Sequence, residues 1–207
     1  MLKKVILGLA AATCALPALP ALAQQEGNWM VRGRALYMKP ANKSDAFALG
    51  GSDAVHVATK TFPEVDISYF VTPNIGLELV LTYPQKHDVT LNGVNLGSVK
   101  HLPPTLLAQY HFIPNGTIRP YLGAGINYTR FSSVSLSAGP GLPLDVSKSS
   151  WGGALQAGVD FQVAKQWFLN VDLKKVWIDT DVKLNGTKLT NARIDPVLFS
   201  VGIGYRF

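Results

Sequence analysis

Beyond residue 23 the apolar side chains of this chain recur at every second position, in eight separate segments. A two-residue period sorts side chains onto the two faces of a β-strand, whereas a helix needs a period near 3.6. The segments run 29–38, 62–70, 75–83, 105–112, 118–131, 151–163, 167–178 and 194–207. Residues 71–74, 113–117 and 164–166 are short turns, and residues 39–57, 84–100, 132–150 and 179–193 are long loops. Short turns at one end, long loops at the other and an even strand number are the arrangement of an outer-membrane barrel with both chain ends in the periplasm. The expected fold class is all-β: an eight-stranded antiparallel up-and-down transmembrane β-barrel, one domain over residues 24–207.

Hydrophobic residues make up 47% of the chain, yet no run of about 18 of them follows residue 23, which excludes helical spans. A soluble barrel also alternates, but its apolar face points inward. Here the polar face of the strands carries Arg32, Arg34, Glu64, Asp66, Glu78, Asp160 and Asp172. In a barrel of eight strands such residues fill a narrow lumen and pair with one another. Aromatic residues at strand ends, among them Trp29, Tyr69, Tyr83, Tyr110, Tyr128, Trp167, Trp177, Tyr205 and Phe207, fit interfacial girdles.

The first 23 residues read as a cleaved export signal. Lys3 and Lys4 are followed by an apolar stretch broken by Pro17 and Pro20, then by Ala21-Leu22-Ala23, a small-x-small cleavage site. The only cysteine, Cys14, lies inside this segment, so the exported chain cannot form an internal disulfide. Without Lys3 and Lys4, 17 basic residues face 13 acidic ones, a net +4. That excess is too mild and dispersed for nucleic acid. It is compatible with a surrounding of outer-membrane lipid and anionic lipopolysaccharide.

Sorting inward residues by depth divides the lumen. Leu36, Met38, Val80, Thr82, Leu107, Val176 and Leu198 fall towards the outside, and Arg32, Arg34, Glu64, Asp66, Glu78, His111, Asp160 and Arg206 towards the periplasm. The expectation is an apolar pocket above a charge-paired plug. The fourth segment is preceded by Pro103 and Pro104, and the third is followed by Pro84. Proline gives no N–H to a neighbouring strand. These prolines fit either a gap in the wall between the third and fourth strands or plain strand termination. His56, His87, His101 and His111 have no nucleophile or metal-ligand spacing around them, so neither an enzyme nor a metal or other cofactor is expected.

Several stretches, taken in order, resemble the OmpW/AlkL family of outer-membrane proteins. They are Asn74 to Leu79, His101 to Leu106, Arg119 to Tyr128, Ser150 to Gly153, Gly158 to Asp160, Asp195-Pro196 and Gly204 to Phe207. The resemblance implies an apolar lumen closed to the periplasm and passive uptake of small hydrophobic or amphipathic molecules, with exit through the wall between strands three and four. It favours a gap at Pro84, Pro103 and Pro104. It also implies a constriction at Val80 and at the position of Lys174, where the family's type member has an aromatic residue. The alternation that ends on Tyr205 and Phe207 resembles the signal by which the barrel-assembly machinery selects its clients. The alternative is a structural or interaction barrel, acting through its loops as an adhesin or as a phage or colicin receptor.

Overall fold

A computed structural model describes residues 27–46 and 51–207. The expected export signal lies outside the described residues. The strands are β1 (Trp29–Lys39), β2 (Lys43–Ser44), β3 (Val55–Val57), β4 (Lys60–Phe70), β5 (Ile75–Leu81), β6 (Gln85–Leu91), β7 (Val94–Leu102), β8 (Thr105–His111), β9 (Ile118–Ser137), β10 (Pro143–Val146), β11 (Ser149–Gln162), β12 (Trp167–Val176), β13 (Asp179–Leu184), β14 (Thr187–Arg193) and β15 (Val197–Arg206).

Eight of these strands form the wall. In order they are β1, β4, β5, β8, β9, β11, β12 and β15, each antiparallel to the next, and β15 returns to β1. The seam is sealed at its periplasmic end by two backbone bonds. The Trp29 N–H donates to the Phe207 carbonyl at 3.0 Å, and the Phe207 N–H donates to the Trp29 carbonyl at 2.8 Å. Closure leaves no edge strand in this part of the sheet.

The wall is apolar outside and polar inside. Leu77, Leu79, Leu81, Leu106, Ile126, Leu155, Leu169, Leu173 and Phe199 are all exposed. Aromatic pairs border this band. Trp29–Tyr69 and Trp167–Tyr205 (ring centroids 4.9 Å) lie at the periplasmic end, and Tyr128–Trp151 (4.8 Å) at the outer end. In water so large an apolar surface would aggregate; in lipid it is the favourable face.

The segments expected to be long loops instead carry strands. Residues 39–57 hold β2 and β3, residues 84–100 hold β6 and most of β7, residues 132–150 hold the end of β9 and β10, and residues 179–193 hold β13 and β14. The wall therefore continues outward as an extension above the membrane band. Two of its hairpins turn on Asn92-Gly93 (φ 48° and 83°) and Asn185-Gly186 (φ 47° and 82°). Both central residues have positive φ, the demand of a type I′ turn, and Asn-Gly meets it with the least strain.

The alternation slips where band and extension join. Val80 pairs with Thr105 and Gln85 with His101, so four residues (81–84) face three (102–104). Tyr83 and Pro84 are both exposed, and the inward set changes from even to odd numbers. On β9 a second slip exposes both Ser132 and Ser133, the latter at φ 48°. An extra residue of this kind bends a strand and re-aims its side chains.

Candidate functional site

The lumen is built in layers, and its centre is charged. Arg32 is fully buried. It donates to both oxygens of Asp160 (3.1 and 2.6 Å), to Ser68 Oγ (2.7 Å) and to Glu78 Oε2 (2.9 Å). Two positions along β1, the Arg34 guanidinium donates to Glu78 (3.1 Å) and lies 3.2 Å from Asp172. It also lies 2.8 Å from Asp66, as a charge contact without hydrogen-bond alignment. Lys174 Nζ donates to Glu64 and Asp172, each at 2.8 Å. Tyr121 and Gln156 complete the mesh. The Tyr121 hydroxyl donates to Asp172, and the Gln156 amide donates to Glu78 and Asp172, all at 2.8 Å.

Below this layer aromatic rings fill the lumen. Met30, Phe70 and Phe168 form a small buried cluster. The Arg206 guanidinium sits 4.0 Å over the Phe70 ring, and that of Arg119 sits 4.8 Å over Phe168. His111, in the same layer, packs between Phe70 and Tyr121 at ring distances of 5.0 Å.

Above the charged layer the lining is apolar. A middle cavity is lined by Leu36, Met38, Phe62, Val80, Thr82, His101, Pro103, Val176 and Leu198, with Glu64 and Lys174 on its floor. A second cavity occupies the extension, where Val55, Val89, Leu96, Val99, Leu136, Val146 and Val182 surround it. Its fifteen lining residues include one polar side chain, Thr180. His87 and His101 stack at 4.7 Å, and His101 lies 6.4 Å from Phe131, which lines the upper cavity. Burial, then the neighbouring His87 and Lys60, push His101 down to about 3. His87 is also lowered, chiefly by burial. Both rings are therefore neutral at neutral pH.

The wall has an interruption at the height of the middle cavity. The β5–β8 ladder ends at the pair Val80–Thr105 and resumes, as β6–β7, at Gln85–His101. On the other side of the same segment the β4–β5 ladder ends at Val65–Leu81. Residues 82–84 thus belong to no strand. Pro84, Pro103 and Pro104 rim the break, and Pro63 lies on the β4 side. None of the four has an N–H with which to close it.

The OmpW family model matches residues 25–207. The chain belongs to the OmpW family. Among its OmpW-like relatives, an outer-membrane protein of Sinorhizobium fredii, y4mB, is 40% identical over 92% of this chain and 85% of its own length. The dibenzothiophene metabolism operon protein PahQ of Pseudomonas aeruginosa is 31% identical over 76% of this chain and 75% of its own. The crystal structure of OprG from Pseudomonas aeruginosa superposes with a TM-score of 0.77 at 29% identity, covering 87% of this chain and 96% of that one. This OmpW-family chain is an outer-membrane β-barrel.

The structure places the residues singled out from sequence as follows. Arg32, Arg34, Glu64, Asp66, Glu78, Asp160 and Asp172 all sit in the charged layer. Leu36, Met38, Val80, Val176 and Leu198 line the middle cavity, and Leu107, outside that lining, is buried in the apolar cluster that holds Val80 and Val176. Lys174 lies on the floor of the middle cavity and is not a free cation there, because two carboxylates hold it. His56 and His87, expected in loops, and His101, expected beside one, lie on extension strands. The upper cavity was missed: apart from Phe131 and Ile194, its lining comes from segments expected to be loops. Asn92-Gly93 and Asn185-Gly186 were the signal that would have revealed two of its hairpins.

Proposed function

We propose that this OmpW-family barrel is a passive, non-enzymatic conduit for small hydrophobic or amphipathic molecules. They enter the upper cavity from outside, descend to the middle cavity and leave sideways into the bilayer through the break between β5 and β8. The observation that carries this reading is the meeting of three features at one height: an apolar cavity, a charged floor beneath it and an unpaired stretch of wall beside it. An apolar solute gains roughly 25 cal/mol for each Å² it removes from water in such a cavity. It meets an array of buried charges below and lipid to the side. Partition into the membrane is the downhill way out. The name of PahQ, which ties that relative to dibenzothiophene metabolism, supports an apolar aromatic cargo. Arg32, Arg34 and the carboxylates around them act as a plug, and Lys174, neutralised by Glu64 and Asp172, is part of it rather than a filter for anions.

The test is a reversible lock. Tyr83→Cys and Leu102→Cys place one thiol in each of the two segments that meet at the break, 81–84 and 102–104. Cells lacking the native protein and carrying the double variant should take up a polycyclic aromatic at the wild-type rate when reduced. Oxidised, they should fall to the rate of cells without any barrel. Equal rates in the two redox states would remove the lateral exit, and equal rates with and without the protein would remove transport altogether.

A further inference from the structure

The outward face of the extension carries an unsolved electrostatic problem. Lys86 on β6 and Lys100 on β7 are directly opposite each other and both are exposed. Directly opposed like charges on neighbouring strands repel. Arg130 on β9 adds a third positive charge. It is exposed and pairs with Leu102, two residues along β7 from Lys100. None of the three forms an ion pair among the described residues. Two other cations of the extension are met within the protein: Lys188 lies 2.6 Å from Asp181, and Arg193 lies 2.7 Å from Asp45. The only carboxylate on the outward faces of β6, β7 and β9 is Asp88, two residues beyond Lys86.

Height decides what the three cations meet. Tyr83 precedes Lys86 by three residues and Tyr128 precedes Arg130 by two, and Tyr128 stacks on Trp151 in the outer girdle. The cations therefore stand just above the boundary between acyl chains and headgroups, on the lipid side of the barrel. Basic side chains clustered at a membrane boundary recognise anionic lipid headgroups. In the outer leaflet of an outer membrane that headgroup is the phosphorylated diglucosamine of lipopolysaccharide.

We propose that Lys86, Lys100 and Arg130 form a binding site for the phosphates of one lipopolysaccharide molecule, seated on the wall directly above the break at residues 82–84. A phosphate between Lys86 and Lys100 turns their repulsion into two attractions, and the planar Arg130 guanidinium suits a second, bidentate contact. The acyl chains of the same molecule then lie against Tyr128 and the outside of the break. This proposal does not depend on transport.

The test uses the refolded barrel in detergent micelles with bisphosphorylated lipid A, dephosphorylated lipid A or heparin as the probe. Binding of bisphosphorylated lipid A should weaken about tenfold or more in the triple variant Lys86→Gln, Lys100→Gln, Arg130→Gln and should fall with added salt. It should be unchanged in Lys188→Gln with Arg193→Gln. Thermal unfolding supplies the second readout. The triple variant, relieved of repulsion, should melt no lower than wild type without lipid, and it should lose the rise that lipid A gives wild type. Equal affinity for dephosphorylated lipid A would overturn the site, as would equal loss in the Lys188/Arg193 variant. Equal or tighter binding of heparin would assign the face to a soluble polyanion and overturn it also. A triple variant that binds lipid A like wild type ends the proposal.

Discussion

Arg32 shows how little freedom a buried charge has in this lumen. Its guanidinium reaches Asp160, Ser68 and Glu78, so every part of it that faces the lumen is engaged. Replacing it with methionine keeps an unbranched stem without the guanidinium and leaves Asp160 and Glu78 without their closest cation. Breaking one side of a buried network costs about 3–5 kcal/mol, much of it the penalty of the stranded partner. Urea unfolding of Arg32→Met in lipid vesicles, followed by tryptophan fluorescence, should show a loss of that size. Gly158 makes a different demand. A Cβ there would lie 2.4 Å from the Tyr121 hydroxyl, the group that donates to Asp172. Gly158→Val should therefore destabilise the same layer by displacing a ring rather than removing a charge, and the same urea titration reads it. The charged members of the layer were legible in the sequence, because a carboxylate or guanidinium on the inner face of a narrow barrel has to find a partner. Tyr121, Gln109, Gln156 and Asn170 were not, because neutral polar side chains carry no such obligation until the pairing of strands brings them together.

Among the elements, the extension strands are the least like what the sequence suggests. The eight wall segments stood out because each keeps one alternating phase for seven residues or more, and those read at 29–38, 62–70, 75–83 and 105–112 match the strands to within a few residues. The extension breaks phase at Tyr83–Pro84 and at Ser132–Ser133, and a period count that runs across such a slip returns no period. What the extension holds is an apolar interior with two neutral histidines at its base, and this has a consequence in acid. His101 is held at about 3 in the folded protein, whereas a histidine in an open strand takes up its proton near 6.5. The open form gains protons first, so stability that is complete above pH 6.5 is lost as the pH falls towards 3. His87 acts in the same direction. Between pH 7 and pH 4, amide exchange in β6 and β7, corrected for intrinsic rates, should accelerate by up to about a hundredfold. The double variant His87→Phe with His101→Phe should hold its protection across that range. An unchanged exchange pattern in wild type would mean that the rings are already solvated.

At the scale of the whole molecule, closure depends on the last strand. β15 pairs with β12 on one side and β1 on the other, and the bond between Phe207 and Trp29 is where the cylinder meets itself. Tyr205 and Phe207 stack at 5.9 Å at this end, and Tyr205 also meets Trp167. If the assembly machinery recognises this terminus, deleting Phe207 should lower the yield of heat-modifiable barrel in the outer membrane several-fold. Refolding of the same variant in detergent should change far less. Equal loss in both would make Phe207 a matter of stability, not recognition. The closed cylinder also sets an order of events. Every other wall strand precedes β15 along the chain, so until β15 arrives β1 and β12 each present an open edge. The polypeptide must cross the inner membrane and the periplasm with its lipid-facing side chains shielded and its ring incomplete. Insertion is thus a transaction concluded only when the final syllable has been delivered, and the time spent waiting, more than the finished barrel, is where such a chain is exposed to proteases and to its own kind.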